Sequence, residues 1–256
     1  MLSTERHSAI LEQLAQRRVV AVDDLSTRLG VSPSTIRRDL DALDAAGLLR
    51  RVRGGGTVVV SPGDSLDDTV HYRDIARVRH EHHDRIGAAA ANLVQDGQVV
   101  ILDIGTTSAA VARHLRGRPV TIVSASVGVL DELRDEAQPE LIMLGGIFRP
   151  TYLSLVGPMT EQALRSVRAD IAFLGTSGVT ANLTVLDSTG AEVPIKHAIM
   201  REATKSVLVA TADKFPGAGV YSVCSATDFD AVITSADPNI PTLVALSQTQ
   251  TEVISV

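Results

Sequence analysis

VSPSTIRRDL, Val31 to Leu40, carries a helix start that can be read residue by residue. Ser32 suits an N-cap, Pro33 sits at the first helical position where its missing N–H costs nothing, and Thr35 occupies the third. Ile36, Leu40 and Leu43 recur at spacings of four and three, which predicts one apolar face and turns Ser34, Thr35, Arg37 and Arg38 away from it. Short hydroxyls and two arginines at a capped helix N-terminus suit the edges of bases in a major groove. Ser32, Ser34, Thr35, Arg37 and Arg38 are therefore candidate DNA contacts.

The flanks extend this helix into a small domain. Ile10, Leu11 and Leu14 predict an amphipathic helix over about residues 4–17, and Leu25 and Leu29 a shorter one opened by Asp23 or Asp24 and closed at Gly30. Downstream, Ala45-Ala46-Gly47 ends the third helix. Residues 48–52 can then run extended, Gly54-Gly55-Gly56 can turn the chain, and residues 57–60 can return antiparallel. The expected hairpin is a wing that carries Arg50, Arg51 and Arg53, placed to meet phosphates.

The net charge of −6 over 256 residues argues by itself against a nucleic-acid partner, so its distribution decides. Residues 1–56 hold nine arginines against seven acids, a balance of +2, which leaves −8 for the remainder. Five of those nine arginines fall on the recognition helix and the wing, at positions 37, 38, 50, 51 and 53. A domain so weakly basic is expected to bind DNA usefully only as a homo-oligomer, a dimer or tetramer. No apolar run is long enough for a membrane span, and the first residues do not read as a signal peptide, so no membrane partner and a cytoplasmic location are expected. Cys224 is the single cysteine, which allows no intrachain disulfide and reads as a small buried hydrophobe.

Ser61-Pro62-Gly63-Asp64-Ser65-Leu66-Asp67-Asp68 lacks apolar periodicity and collects turn formers and acids. This predicts three parts: a DNA-binding domain over 1–60, a linker over 61–74, and a larger domain over 75–256. A helix is expected from about residue 71 to 85, running into an apolar stretch at 86–94 where Gly87 and four consecutive alanines permit close packing. His80, His82 and His83 fit no usual zinc spacing, and neither a metal nor a cofactor is expected.

From Gln98 onward, short β-branched runs alternate with helical patterns. Strands are expected at 99–102, 120–123, 141–144, 171–174, 207–209, 231–233 and 243–246. Near-continuous apolar strands separated by helices predict an α/β domain with a mainly parallel sheet, whose ligands bind beyond the carboxyl ends of the strands. Asp103-Ile104-Gly105-Thr106-Thr107-Ser108, between a strand and a helix, offers N–H groups and hydroxyls to an anion. Ser124 and Ser126, Gly145 and Gly146 with Arg149 beyond, Gly175, and Asp213-Lys214 follow later strands, with Lys196 a further cation. Small residues, hydroxyls and scattered cations together describe a pocket for a phosphorylated sugar.

The chain resembles the DeoR family of bacterial transcription regulators along nearly its whole length. Arg6, Ile10 and Leu14, then Ser32, Thr35, Ile36, Arg37, Asp39 and Leu40, match that family's helix-turn-helix pattern, and residues 48–56 its wing, with Arg53 where a histidine is more usual. Asp103-x-Gly105-Thr106-Thr107, Gly145-Gly146 with Gly157, residues 170–175, Glu192 with Lys196 and Met200, and Asp213-Lys214-Phe215 look like its effector-domain motifs, in the right order. The resemblance implies a repressor of carbohydrate metabolism genes whose larger domain is similar to ribose-5-phosphate isomerase and senses a phosphorylated sugar. It implicates Asp103, Gly105, Thr106, Thr107, Glu192 and Lys196 most directly. Where the family often has a Thr-Asn-Ser-like segment, this chain has Ser124-Ala125-Ser126 and lacks the amide, which alters the donors open to an effector. The alternative is an isomerase-like enzyme fused to a DNA-binding domain, with Glu192 as base, and the fused domain weighs against it.

Overall fold

The computed structural model describes residues 6–7, 9–11, 13–14, 19–46, 48–52, 55–57 and 80–256. The chain divides into two compact units, Met1–Val70 and His71–Val256. The expected linker at 61–74 lies outside the described residues.

In the smaller unit residues 6–7, 9–11 and 13–14 are helical. Strand β1 (Val19–Ala21) leads into helix α1 (Val22–Leu29), which Gly30 closes at φ +64°. Helix α2 (Pro33–Ala45) follows with Ser32 as its N-cap, the Thr35 amide donating to Ser32 Oγ over 3.2 Å. Ile10, Leu14, Leu25, Ile36, Leu40, Leu43 and Leu49 form its buried core. The periodic apolar face read from the sequence is therefore the packed one. Strands β2 (Arg50–Val52) and β3 (Gly55–Thr57) make the wing. Here one expectation is corrected: Gly55 and Gly56 do not turn the chain. They lie within β3, paired with Val52 and Arg51 on one side and with Ala21 and Val20 of β1 on the other. Glycine in a strand interior permits close approach, and Gly55 is buried between two neighbours. Residues 53–54 and 58–60 lie outside the described set.

The larger unit opens with helix α3 (His80–Asn92), followed by β4 (Val99–Leu102), α4 (Thr106–His114), β5 (Thr121–Ser124), α5 (Val127–Leu133) and β6 (Glu140–Met143). A hairpin of β7 (Ile147–Arg149) and β8 (Ser154–Val156) precedes α6 (Pro158–Arg165) and β9 (Ala169–Leu174). Next come β10 (Gly178–Val179), β11 (Thr184–Asp187), α7 (Val193–Glu202) and β12 (Ala203–Ala210). The chain ends with β13 (Tyr221–Ser225), β14 (Ala231–Thr234), α8 (Pro241–Ser247) and β15 (Glu252–Ser255).

Seven strands form a parallel sheet in the order β15-β14-β12-β9-β4-β5-β6. Alternation along β4 shows why both faces need helices. Ile101 joins the cluster of Leu164, Ile195, Ile199 and Leu243, whereas Val100 and Leu102 join that of Ile86, Val111, Leu115 and Val129. Six of the seven expected strands are present, with edges shifted by up to four residues. The seventh is corrected: residues 243–246 belong to helix α8, where Pro241 occupies the first turn and Leu243 and Leu246 are buried one turn apart. The edge strand is instead β15.

Candidate functional site

The chain runs outward from β4 through β5 to β6, then returns to the other side of β4 with β9 and continues through β12, β14 and β15. The switch point thus lies between β4 and β9, the place in an open α/β sheet where ligands generally bind beyond the carboxyl ends of the strands. Asp103 follows β4 and Gly175 follows β9, and the Gly175 amide donates to Asp103 Oδ2 over 3.0 Å there.

Around this link the fold gathers five ionisable side chains. Helix α7 starts behind Glu192, and Lys196 stands one turn along it, four residues later. The Lys196 ammonium pairs closely with Asp103, lies 3.4 Å from Asp187 Oδ2 and donates to the Gly175 carbonyl over 2.9 Å. Arg149, at the end of β7, donates to Glu192 Oε1 over 2.7 Å and to Thr189 Oγ1 over 3.0 Å, and its guanidinium lies 4.3 Å from the centre of the Tyr152 ring. Ser154, at the start of β8, donates to Glu192 Oε1 over 3.2 Å.

Burial sets the electrostatics. Glu192 is pushed up to about 7 by desolvation, with Asp103 and Asp187 adding to the rise and Lys196 and Arg149 opposing it. For Lys196, burial works against the charge, but the surrounding carboxylates outweigh it and hold the ammonium above its ordinary range. Two buried acceptors, Asp103 Oδ1 and Glu192 Oε2, have no hydrogen-bond partner. Unpaired buried oxygens cost free energy unless a partner arrives, so the cluster holds hydrogen-bonding capacity that the fold itself does not use.

Beside Asp103, Gly105 caps α4 at φ +109° with open space where a side chain would be, and no side chain caps the helix. The amides of Thr106 and Thr107 begin α4 and its positive dipole end. Thr106 Oγ1 lies 3.3 Å from Nε2 of the buried His83.

Of the residues expected at the site, the structure brings Asp103, Gly175, Glu192, Lys196 and Arg149 into one bonded cluster, with Gly105, Thr106 and Thr107 in the adjoining loop. Ser124 and Ser126 are fully buried and their hydroxyls serve the fold. Ser124 donates to the Leu102 carbonyl over 2.8 Å, and Ser126 caps α5. Gly145 accepts from Thr160 over 2.7 Å, and a side chain on Gly146 would stand 2.1 Å from the Thr160 hydroxyl. Asp213 and Lys214 lie in a short 3-10 turn beyond β12, where Thr211 donates to Asp213 over 2.6 Å. Asp187, Thr189, Ser154 and Tyr152 are additions. Asp187 follows a β-branched run, a signal shared with Asp103, whereas the others come from turns whose placement no local pattern announces.

In the smaller unit Arg37 and Arg38 are exposed on α2, and neither makes an ion pair among the described residues. Ser32, Ser34 and Thr35 share hydrogen bonds of 2.8 and 2.9 Å at the start of the same helix. Arg51 is tied down: it donates to Asp41 over 2.8 Å and to the Gly55 carbonyl, fixing the wing to the helix. For Arg50 only the backbone is described, and Arg53 lies outside the described residues. Asp39, on the inner face of α2, accepts from Arg6 over 2.6 and 2.8 Å, which holds its carboxyl below the usual range.

A winged helix-turn-helix followed by a doubly covered parallel sheet with a buried polar cluster at its switch point fits a DNA-binding regulator with a sensor domain. Sequence comparison sharpens the class. The DeoR-like helix-turn-helix domain matches residues 6–61 and the DeoR C terminal sensor domain residues 78–236, and the chain belongs to the DeoR family of transcriptional regulators. It is 30% identical to the glycerol-3-phosphate regulon repressor of Escherichia coli over 248 residues, covering 96% of each chain. It is 34% identical to the uncharacterized HTH-type transcriptional regulator YgbI of the same organism, covering 91% of this chain and 90% of the relative. With the HTH-type transcriptional repressor GlcR of Bacillus subtilis it shares 30% identity, covering 93% and 91%. Among solved structures, ribose 5-phosphate isomerase from Methanocaldococcus jannaschii aligns with a TM-score of 0.40 at 19% identity, covering 54% of this chain and 55% of that one. The chain is thus a regulator of transcription and not an enzyme, and Glu192 needs no role as a catalytic base.

Proposed function

We propose that this protein represses carbohydrate or polyol metabolism genes by binding operator DNA as a homo-oligomer, a dimer or tetramer, in the cytoplasm, and that a phosphorylated sugar or polyol at the switch point alters that binding. The layout is a DNA-binding domain over 1–60, a linker over 61–74 and a sensor over 75–256. The observation that carries the sensing role is the pair of buried, unpartnered acceptors, Asp103 Oδ1 and Glu192 Oε2, beside two cations and an open helix start. Acceptors that lack donors match the hydroxyls of a polyol, while the α4 amides and Arg149 match a phosphate. The names of the relatives, a glycerol-3-phosphate regulon repressor among them, agree with that ligand class.

On the DNA side, Ser32, Ser34, Thr35, Arg37 and Arg38 meet the major groove and Arg50 and Arg53 the phosphates, with Arg51 bracing the wing. The test is fluorescence anisotropy of the protein on DNA from its own upstream region, at fixed salt, with glycerol 3-phosphate and a panel of hexose and pentose phosphates. A specific complex whose affinity one ester changes at least about tenfold supports the reading. A specific complex that none of them alters removes the ligand assignment, and no specific complex removes the DNA assignment.

A further inference from the structure

His83 is the one buried histidine among the described residues, and no part of the sensing cluster above accounts for it. It is 6% exposed, and it lies on α3, the first described helix of the larger unit. Its Nε2 sits 3.3 Å from Thr106 Oγ1, so a helix in front of the sheet reaches the first residue of α4. One turn further along α3, a side chain on Gly87 would stand 2.7 Å from the carbonyl carbon and oxygen of Ala110, so the two helices touch backbone to backbone. That contact holds the histidine and the threonine at fixed separation.

We propose that His83 is a positioning residue for the ligand's phosphate, acting through the Thr106 hydroxyl; the inference rests on the sensing role given above. A threonine hydroxyl has one hydrogen and two lone pairs. With Nε2 protonated, His83 donates to one lone pair of Thr106 and leaves the hydroxyl hydrogen to point at an anion over the α4 amides. Without His83, the hydroxyl is free to turn back to its own helix, as the nearby Ser108 hydroxyl does toward the Ile104 carbonyl. Two independent features mark the place as one where a ligand sits: the open, uncapped start of α4 and the unpartnered Asp103 Oδ1 two residues ahead of its N-cap.

The experiment is calorimetric titration of the full chain with inorganic phosphate and with glycerol 3-phosphate, for the wild type, His83→Ala, His83→Gln, Thr106→Val and the His83→Ala/Thr106→Val double variant. Expected is a loss of about tenfold in affinity for His83→Ala and for Thr106→Val, the size of one hydrogen bond to a charged group. The double variant should lose no more than either single one, and His83→Gln, whose amide can donate from a similar position, should recover most of the affinity. Wild-type affinity in His83→Ala overturns the proposal and leaves the sensing role standing. Additive losses in the double variant, or equal losses for alanine and glutamine, overturn it in favour of a purely structural histidine. Failure of the wild type to bind either probe overturns the sensing role first and this inference with it. Should His83→Ala not fold, Thr106→Val and His83→Gln still decide, since the first must lose affinity and the second must keep it.

Discussion

Glu192 is the residue whose burial most directly ties the fold's stability to pH. Its carboxyl is raised from 4.5 to about 7 by burial, so the folded state holds a proton there that the unfolded chain has released. Protons are then bound in greater number by the folded state, and stability must fall as pH rises from about 4.5 through 7. The shift corresponds to about 3 kcal/mol at most, present in full below pH 4.5 and gone above 7. Glu192→Gln should abolish this part of the pH dependence, which urea titrations of both proteins at pH 5 and pH 8 would measure; parallel curves for the two would refute it. Lys196 answers to the opposite logic. Its partners Asp103 and Asp187 are buried with it, so Lys196→Ala leaves two carboxylates without their cation and should cost about 3 to 5 kcal/mol in chemical denaturation. Asp103, Glu192 and Lys196 were legible in the sequence because each stands at a strand or helix end within a motif. Asp187 was not placed among the effector contacts, because its position depends on β11 pairing with β13, where it faces Tyr221 far along the chain. The serines at 124 and 126 show the ambiguity of such readings. Hydroxyls after a strand read equally well as ligand contacts or as internal donors and caps, and here the buried Ser124 hydroxyl donates to the Leu102 carbonyl while Ser126 caps α5.

The helix pair α3 and α4 shows at the level of elements how little room the sensor leaves. Gly87 touches the Ala110 backbone, and a methyl group there would have to sit 2.7 Å from two main-chain atoms that cannot rotate away. Gly87→Ala should therefore destabilise the larger unit by about 1 to 3 kcal/mol, although alanine is the better helix former. A thermal melt reads this directly, and an unchanged or raised Tm would mean that the helices can separate without cost. The sequence showed that something packs at Gly87 and the alanines, but not what. Strand positions were legible for a related reason: the parallel strands are buried on both faces, so β4, β9 and β14 appear as short, unbroken β-branched and apolar runs. The same rule misassigned residues 243–246, since four apolar residues in a row fit a buried strand or one buried helix turn. Pro241 at the start and the three-residue spacing of the buried leucines decide for helix. Edge strand β15 escaped because its half-exposed pattern carries a weaker signal.

At the scale of the whole molecule, the charge is divided as the two tasks require. A balance of +2 over residues 1–56 against −8 elsewhere gives one DNA-binding head little attraction for DNA, which is the reason for proposing a homo-oligomer. The arginines that supply the attraction are separable from those that shape the domain. Arg37 and Arg38 are exposed and unpaired among the described residues, whereas Arg51 is held by Asp41 and the wing backbone. Replacing Arg37 and Arg38 by alanine should weaken operator binding and relax its discrimination between base sequences, at about 1 to 3 kcal/mol for each lost base contact, with the Tm unchanged. Arg51→Ala should instead lower the Tm of the DNA-binding unit, because it removes the side-chain link from the wing to Asp41 of α2 and leaves only the Arg51 amide hydrogen bond to Asp44 among the described residues. A variant set in which all three arginines behave alike would show that this division is wrong. Coupling between the units is a separate matter, since a ligand shifts DNA affinity only as far as it distinguishes two arrangements of the heads. An effect of two orders of magnitude needs a difference of about 3 kcal/mol, and a connection of defined geometry must carry it. Exchanging residues 61–74 for a Gly-Ser spacer of equal length should therefore preserve DNA binding and ligand binding while removing the effect of one on the other. Anisotropy on operator DNA with and without the ligand measures this, and a response that survives the exchange would place the coupling in direct contact between the units.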